Sequence, residues 1–198
     1  MRASGALTDL LRHKRWPEHA AMAEQVHGTR LVVVPKLKRP KIYAGADGLL
    51  SAEADQPLAI FTADCLPVFL DVSKKGVVGL LHAGWRGVQG RILGKAVTKI
   101  LQLWGCRPAD IRIWFGPAIG PCCFKVRWDV ARYFPQSRRR RKDCWTVDLA
   151  KQVRLQAAGM GIKVLEGNPP CTMHGRKWFS YRREATDQRQ VSLIMRRI

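Results

Sequence analysis

The chain has 198 residues, with 35 Lys and Arg against 15 Asp and Glu, a formal charge of +20, and a composition that is 46% hydrophobic and 25% charged. That length and balance suit one soluble globular domain with a sizeable core. No apolar run approaches the roughly 20 residues that span a bilayer, and the N-terminal stretch lacks an apolar segment long enough for a secretory signal. A cytoplasmic location with no membrane partner is therefore expected, and the positive field favours anionic partners such as nucleotides, phosphate or nucleic acid.

Along the chain, residues 1–24 read as loosely helical, interrupted at Pro17. Leu31-Val32-Val33-Val34 is a strand by its β-branched content, ended by Pro35. A basic loop over 36–41 and a turn-rich stretch over 44–51 follow. Leu58-Ala59-Ile60-Phe61-Thr62 and Val68-Phe69-Leu70-Asp71 read as strands around an Asp64-Cys65 turn. Val77-Val78-Gly79-Leu80-Leu81 is continuously apolar, the pattern of a buried strand, and it ends at His82. Gly84 and Gly87 then permit a tight turn.

Over 88–104 the apolar residues Val88, Ile92, Leu93, Ala96, Val97, Ile100, Leu101 and Trp104 recur at three and four, which predicts one amphipathic helix. Ile111-Arg112-Ile113-Trp114-Phe115 is a strand stopped by Gly116-Pro117. The densest positive run, Ser137-Arg138-Arg139-Arg140-Arg141-Lys142, reads as a solvated loop, with a phosphate- or nucleic-acid-facing patch as the alternative. A helix over 148–159 takes Asp148 as its N-cap and Gly159 as its stop. Ile162-Lys163-Val164-Leu165 is a strand, and Trp178-Phe179-Ser180-Tyr181 and Ser192-Leu193-Ile194-Met195 are further candidates. Strands and helices interleave without strict alternation, so one mixed domain without linker or repeat is expected.

Three segments carry chemistry: Gln25-Val26-His27-Gly28, Thr62-Ala63-Asp64-Cys65-Leu66-Pro67 and His82-Ala83-Gly84-Trp85-Arg86-Gly87. Together they offer one thiolate and two imidazoles, a donor set suited to zinc with a fourth position left for water or substrate. Taken singly, His82 reads as a hydrogen-bonded structural imidazole and Cys65 as a small core hydrophobe. Asp64 is placed to orient a ligating imidazole. Arg86, near a helix start, offers a guanidinium for an oxyanion or phosphate, with a plain surface cation as the alternative. The other cysteines, Cys106, Cys122, Cys123, Cys144 and Cys171, form no CxxC pair and read as free or buried thiols in a reducing compartment.

These segments occur in order with Ala46-Asp47-Gly48-Leu49, Gly116-Pro117-Ala118-Ile119-Gly120-Pro121-Cys122-Cys123, Val147-Asp148-Leu149, Cys171-Thr172 and Phe179-Ser180-Tyr181-Arg182-Arg183. From about residue 24 to the C-terminus the set resembles the YfiH-like laccase-domain family, once called multicopper polyphenol oxidases. The resemblance implies an α+β fold: a single domain over 1–198 of packed mixed β-sheets flanked by helices. Its core would be similar to a deamidating toxin domain of the cytotoxic-necrotizing-factor type. It also implies Zn2+ held by His27, Cys65 and His82, with copper as the second choice. The implied activity is a purine nucleoside phosphorylase with adenosine deaminase and methylthioadenosine phosphorylase activities. Cys65, His82 and Arg86 would be catalytic, and Arg86, Arg182 and Arg183 would bind phosphate or substrate.

The chain departs from that pattern at both ends. The family's opening strand, its Leu-Asn-Leu-Gly segment and its Asn-Arg pair have no match in 1–24, so that segment reads as truncated or diverged. In the tail Glu184 stands where the family has Asp, and only Arg189 answers a later Thr-Gly-Arg signal. Two rival readings share the same residues: a cytoplasmic amidase editing a peptidoglycan precursor, and a decayed scaffold binding nucleic acid nonspecifically through its basic surface. The chain's five histidines are too few for a multicopper set. Oligomeric state is not legible in the sequence.

Overall fold

A computed structural model describes residues 17–165, 167–174 and 176–197 of the chain. The helix expected over 1–24 lies mostly outside those residues; the described part instead contains a strand, β1 (Ala21–Ala23), whose residues are all buried. It is followed by β2 (Leu31–Val33), β3 (Lys41–Tyr43), β4 (Gly48–Ser51), β5 (Leu58–Thr62), β6 (Leu66–Val72) and β7 (Val77–Ala83). The first helices are α1 (Trp85–Gln89) and α2 (Ile92–Trp104), and then come β8 (Arg112–Phe115), β9 (Lys125–Val126) and α3 (Trp128–Ala131). The rest is β10 (Arg138–Arg140), β11 (Trp145–Val147), α4 (Leu149–Ala158), β12 (Lys163–Val164), α5 (Tyr181–Glu184) and β13 (Gln190–Ile194).

The centre is the antiparallel pair β6 and β7, joined through Gly76 in the left-handed region at φ 63°. A residue with a Cβ is strained there. Around this pair lies a six-stranded mixed sheet in the order β12-β8-β6-β7-β4-β2. All seven residues of β7 are buried, because the strand is covered on both faces. Val77, Leu81 and Ala83 face one core with the apolar side of α2 (Ile92, Leu93, Ala96, Val97, Ile100) and of α4 (Leu149, Val153, Ala157). The alternate residues Val78 and Leu80 face a second core with Leu58 and Ile60 of β5 and Ala21 and Ala23 of β1. The period-two alternation of a strand thus points one set of side chains at a helical layer and the other at a four-stranded sheet, β13-β5-β1-β3. A three-stranded sheet, β10-β11-β9, stands apart. The molecule is a single α+β domain of mixed sheets and helices, as expected.

Several local expectations are corrected. The helix over 88–104 is two helices, because Arg91 takes a left-handed conformation at φ 57° between them. The turn-rich 44–51 contains β4, whose Gly48 is pinned by packing: a Cβ there would sit 2.4 Å from Leu31 and 2.8 Å from Leu81. The basic run over 137–142 is one arm of a hairpin, with Arg138 paired to Val147 and Arg140 to Trp145. The Arg138 guanidinium lies over the rings of Trp128 and Trp145, at 4.6 and 5.1 Å from their centroids; cation–ring attraction gives this charged strand a packing partner. The candidate strand at 178–181 gives way to α5, capped by the Ser180 hydroxyl, which accepts from the Arg183 amide. Among the described residues, no helix is long and apolar enough to cross a membrane.

Candidate metal centre and adjoining cleft

His27, Cys65 and His82 arrive from three separate pieces of chain, and their donor atoms lie within 4.8 Å of one another. His82 comes from the end of β7 and projects to the same side as Leu80. Cys65 sits in the turn before β6. His27 lies on the loop between β1 and β2. Three non-glycine residues of these loops, Gln25, His27 and Asp64, have positive φ (65°, 62° and 93°). Such backbone persists only where its surroundings over-determine it, and it collects at functional sites.

Side-chain hydrogen bonds hold these loops. The Gln25 amide side chain donates to the Phe61 carbonyl (2.6 Å) and accepts from the Phe61 amide (2.7 Å), fixing the His27 loop to β5. Fully buried Asp47 does most of the rest. Its Oδ1 accepts from the His27 amide (2.9 Å) and its Oδ2 from the Gly28 amide (2.7 Å). Oδ1 also pairs with His82 Nδ1 at 2.8 Å. One carboxylate therefore sets the backbone of one imidazole and the ring of the other, leaving Nε2 of His82 for the cluster. The two rings meet edge to face at 76°, with centroids 4.8 Å apart. Cys65 Sγ is 3.7 Å from His27 Nε2. Gly84 closes the floor: a Cβ there would lie 3.1 Å from both Cys65 Sγ and His27 Cδ2.

The electrostatics follow from this geometry. Burial alone would push the Cys65 thiol up, but His82 and His27 outweigh it and bring the thiol down to about 6. Burial would lower His82, yet the Cys65 thiolate and Asp47 raise it to about 9. Asp47 is held below its ordinary value, because its bonds to His82 and to the Gly28 and His27 amides overcome its own burial. A thiolate available near neutrality beside two imidazoles, one anchored through its far nitrogen by a carboxylate, fits a metal ion. The cluster can hold one.

Asp64 does not take the part expected of it. Its Oδ1 accepts from the Thr172 hydroxyl (2.6 Å) and its Oδ2 from the Arg182 amide (2.7 Å), so it ties the Cys65 turn to the C-terminal segment. The orienting carboxylate is Asp47. The signal that could have found it is an acid sealed inside an apolar stretch, Ala46-Asp47-Gly48-Leu49-Leu50; a buried carboxylate must have a specific partner.

The arginines divide. Arg183 donates to the carbonyls of Thr172 (2.7 Å) and Trp178 (2.8 Å) and pairs with Glu184 (2.6 Å). Its guanidinium is committed to the fold, which argues against the substrate role expected of it. Arg182 donates to the Lys125 carbonyl (2.8 Å) and lies over Phe124, 5.5 Å from the ring centroid. Arg86 is exposed on α1, stacked 4.5 Å from the Trp85 ring centroid. Trp85, Phe124 and Arg182 share the wall of a cleft of about 400 Å³. Two links tie the wall of the cleft to the cluster: Trp85 follows Gly84 in the chain, and the Arg182 amide donates to Asp64, the residue before Cys65.

Residues 6–197 match the family described as multi-copper polyphenol oxidoreductase laccase. The purine nucleoside phosphorylase YlmD of Geobacillus stearothermophilus is 36% identical over 93% of this chain and 73% of its own. The purine nucleoside phosphorylase YfiH of Escherichia coli is 31% identical over 90% of this chain and 74% of its own. The crystal structure of the Geobacillus stearothermophilus YlmD superposes with a TM-score of 0.87, covering 99% of this chain and 82% of that one at 33% identity. A Bacillus licheniformis protein called YfiH gives 0.83 over 97% and 79% at 27% identity.

Proposed function

The chain belongs to the multi-copper polyphenol oxidoreductase laccase family, and from that premise we propose that it is a purine nucleoside phosphorylase centred on His27, Cys65 and His82. The relatives named above support the substrate class. The observation that carries the location is the convergence of the three donors within 4.8 Å beside an aromatic-walled cleft. The ion we assign is zinc, for which one thiolate and two imidazoles leave a fourth position open. When bound there, it would supply Lewis acidity at that position.

Phosphorolysis needs phosphate delivered to the ribose C1′ and a purine leaving group held as it gains electrons. Trp85 and Phe124 line the cleft and give the base an apolar edge to lie against. Arg182, with donors beyond the one given to Lys125, and Arg86 offer guanidinium forks for the anion. Asp47 keeps the His82 ring from rotating throughout. Because a lysine cannot reproduce a bidentate fork, Arg182→Lys should raise the KM for phosphate at least several-fold; an unchanged KM would remove Arg182 from the phosphate site.

The test is to incubate zinc-loaded protein with adenosine and phosphate beside a Cys65→Ala control and to resolve the products. Adenine and ribose 1-phosphate formed by the intact protein alone support the reading. Inosine would add deamination, and adenine from 5′-methylthioadenosine would add that substrate. No product from metal-loaded protein overturns it. One arrangement favours a second reading. Asp47, His82 and Cys65 form a carboxylate–imidazole–thiol series, the order required for an activated thiol nucleophile, so an amidase acting on a peptidoglycan precursor should work without metal. Release of an amine from such a precursor by metal-stripped protein is the result that would favour it.

A further inference from the structure

Four donors not used by this centre meet on the surface beside it. Cys122 and Cys123 lie in a turn where the Cys123 and Phe124 amides both donate to the Gly120 carbonyl, at 3.0 and 2.9 Å. Cys171 and His174 lie in a second turn, closed by the His174 amide donating to the Cys171 carbonyl at 3.2 Å. The turns are held side by side by a parallel bridge between Ala118 and Cys171, through the bonds Ala118 N–H to Pro170 and Thr172 N–H to Ala118. All four donor atoms fall within 4.8 Å of one another.

We propose that Cys122, Cys123, Cys171 and His174 form a second metal site, taking a soft, thiophilic ion of the zinc or copper(I) type. A tetrahedral zinc ion with bonds of about 2.3 Å to sulfur and about 2.0–2.1 Å to nitrogen separates two sulfurs by roughly 3.8 Å and a sulfur from a nitrogen by roughly 3.5 Å. Cys122 and Cys171 have their sulfurs 3.7 Å apart, and Cys123 Sγ is 3.2 Å from His174 Nε2. Both pairs are near the spacing an ion would impose. Three sulfurs and an imidazole select soft ions over magnesium or calcium. The backbone is fitted to the sulfurs as well. The Gly120 amide donates to Cys171 Sγ at 3.2 Å, the kind of outer contact that steadies a ligating thiolate. A Cβ on Gly120 would crowd Cys122 Sγ and Cys171 Cβ, both at 3.3 Å. A disulfide between Cys122 and Cys171 would leave the approach of Cys123 to His174 without a purpose; an ion accounts for all four.

Its effect on the chain is mechanical. Thr172, between two of the ligands, holds Asp64 through its hydroxyl at 2.6 Å, and Asp64 precedes Cys65. The Ile119 amide donates to the Asp64 carbonyl at 2.9 Å. An ion that locks the two turns together therefore steadies the Cys65 turn from outside. The site is independent of what reaction Cys65 serves.

The experiment counts metal on the full chain, stripped with chelator and reloaded with zinc under reductant, by native mass spectrometry. Two ions per chain are expected, one in Cys65→Ser and one in the double variant Cys171→Ser, His174→Ala. Cobalt(II) loaded into Cys65→Ser should show an intense sulfur-to-cobalt charge-transfer band that is lost when Cys122→Ser and Cys171→Ser are added. The Cys65→Ser measurement does not depend on the folding of any cluster variant. Zinc-free Cys65→Ser protein, a cobalt band that survives the cluster substitutions, or a Cys122–Cys171 disulfide in the reduced preparation would each overturn the proposal. Absence of nucleoside turnover would leave this count untouched.

Discussion

The side chain that organises the candidate centre is Asp47, and its substitution is the sharpest test of that organisation. Asp47→Asn keeps the shape but loses the charge that holds His82 Nδ1 and two backbone amides. Removal of such a partner weakens metal binding by about 10–100-fold, and zinc competition titration measures it; an unchanged affinity would mean that the imidazole is held by packing alone. Cys65 makes a second prediction, for metal-stripped protein. Its thiol is lowered from 9.0 to about 6 and His82 is raised from 6.5 to about 9, so between those limits the pair is thiolate and imidazolium. The lowered thiol adds stability that grows as pH rises from about 6 to 9. The raised imidazole adds stability that is lost from about 6.5 to 9. The slopes have opposite signs and cancel over the shared window, so unfolding free energy should be flat there. Alkylation of Cys65 should instead rise with a midpoint near 6, moving well upward in His82→Ala. The three donors that the structure brings together were picked out in sequence because each lies near Gly or Pro at the end of an apolar run. Asp47 was not, because an acid within an apolar stretch signals a buried partner but does not say that the partner is a ring 35 residues away. The pairs Cys122-Cys123 and Cys171-x-x-His174 escaped for the same reason, since neither half is a ligand set until the Ala118 bridge joins them.

Elements were legible where a single local rule governs them. The continuous apolar run of β7 and the capped helix α4 follow from burial on two faces and from a carboxylate at the helix start. The Asp148 side chain accepts from the Lys151 amide at 2.8 Å, and Asp148→Ala should cost about 1 kcal/mol, read as a lowered midpoint of thermal unfolding. No shift would mean that packing of Leu149 and Val153 fixes that helix start without help. What sequence patterning misjudged were places where tertiary packing overrides it. Apolar spacing continues through Arg91, although the chain bends there. Residues 21–23 read as part of a loose helix and the glycine of β4 as turn material, yet both are strands packed into the core. In the 137–142 run, charge suggested a solvated loop, whereas Trp128 and Trp145 give Arg138 a surface to lie on.

For the molecule as a whole, the charge of +20 acts at a distance rather than on the fold. If it gathers anionic substrate toward the cleft, raising ionic strength from about 0.01 M to about 0.15 M, where the Debye length falls from about 30 to about 8 Å, should raise the KM for phosphate and leave kcat unchanged. A KM indifferent to salt would assign the charge elsewhere, and binding to nucleic acid that weakens steeply with salt would then be the measurement to make. The order of apolar runs gave one mixed domain, and the layered α+β arrangement came only from the family resemblance. The assignment of strands to sheets was not legible, since β1, β5 and β13 become neighbours across most of the chain.

The bond from the Arg182 amide to Asp64 spans 118 positions, and that separation has a temporal meaning. Loops closed over such distances form late and slowly. During synthesis His27, Cys65 and His82 are all present long before residue 182 is added, so the donors exist for an interval without the segment that steadies the Cys65 turn. The nascent chain therefore carries all three donors before Arg182 arrives to finish the wall of the cleft, and β13 closes the sheet beside β5 later still.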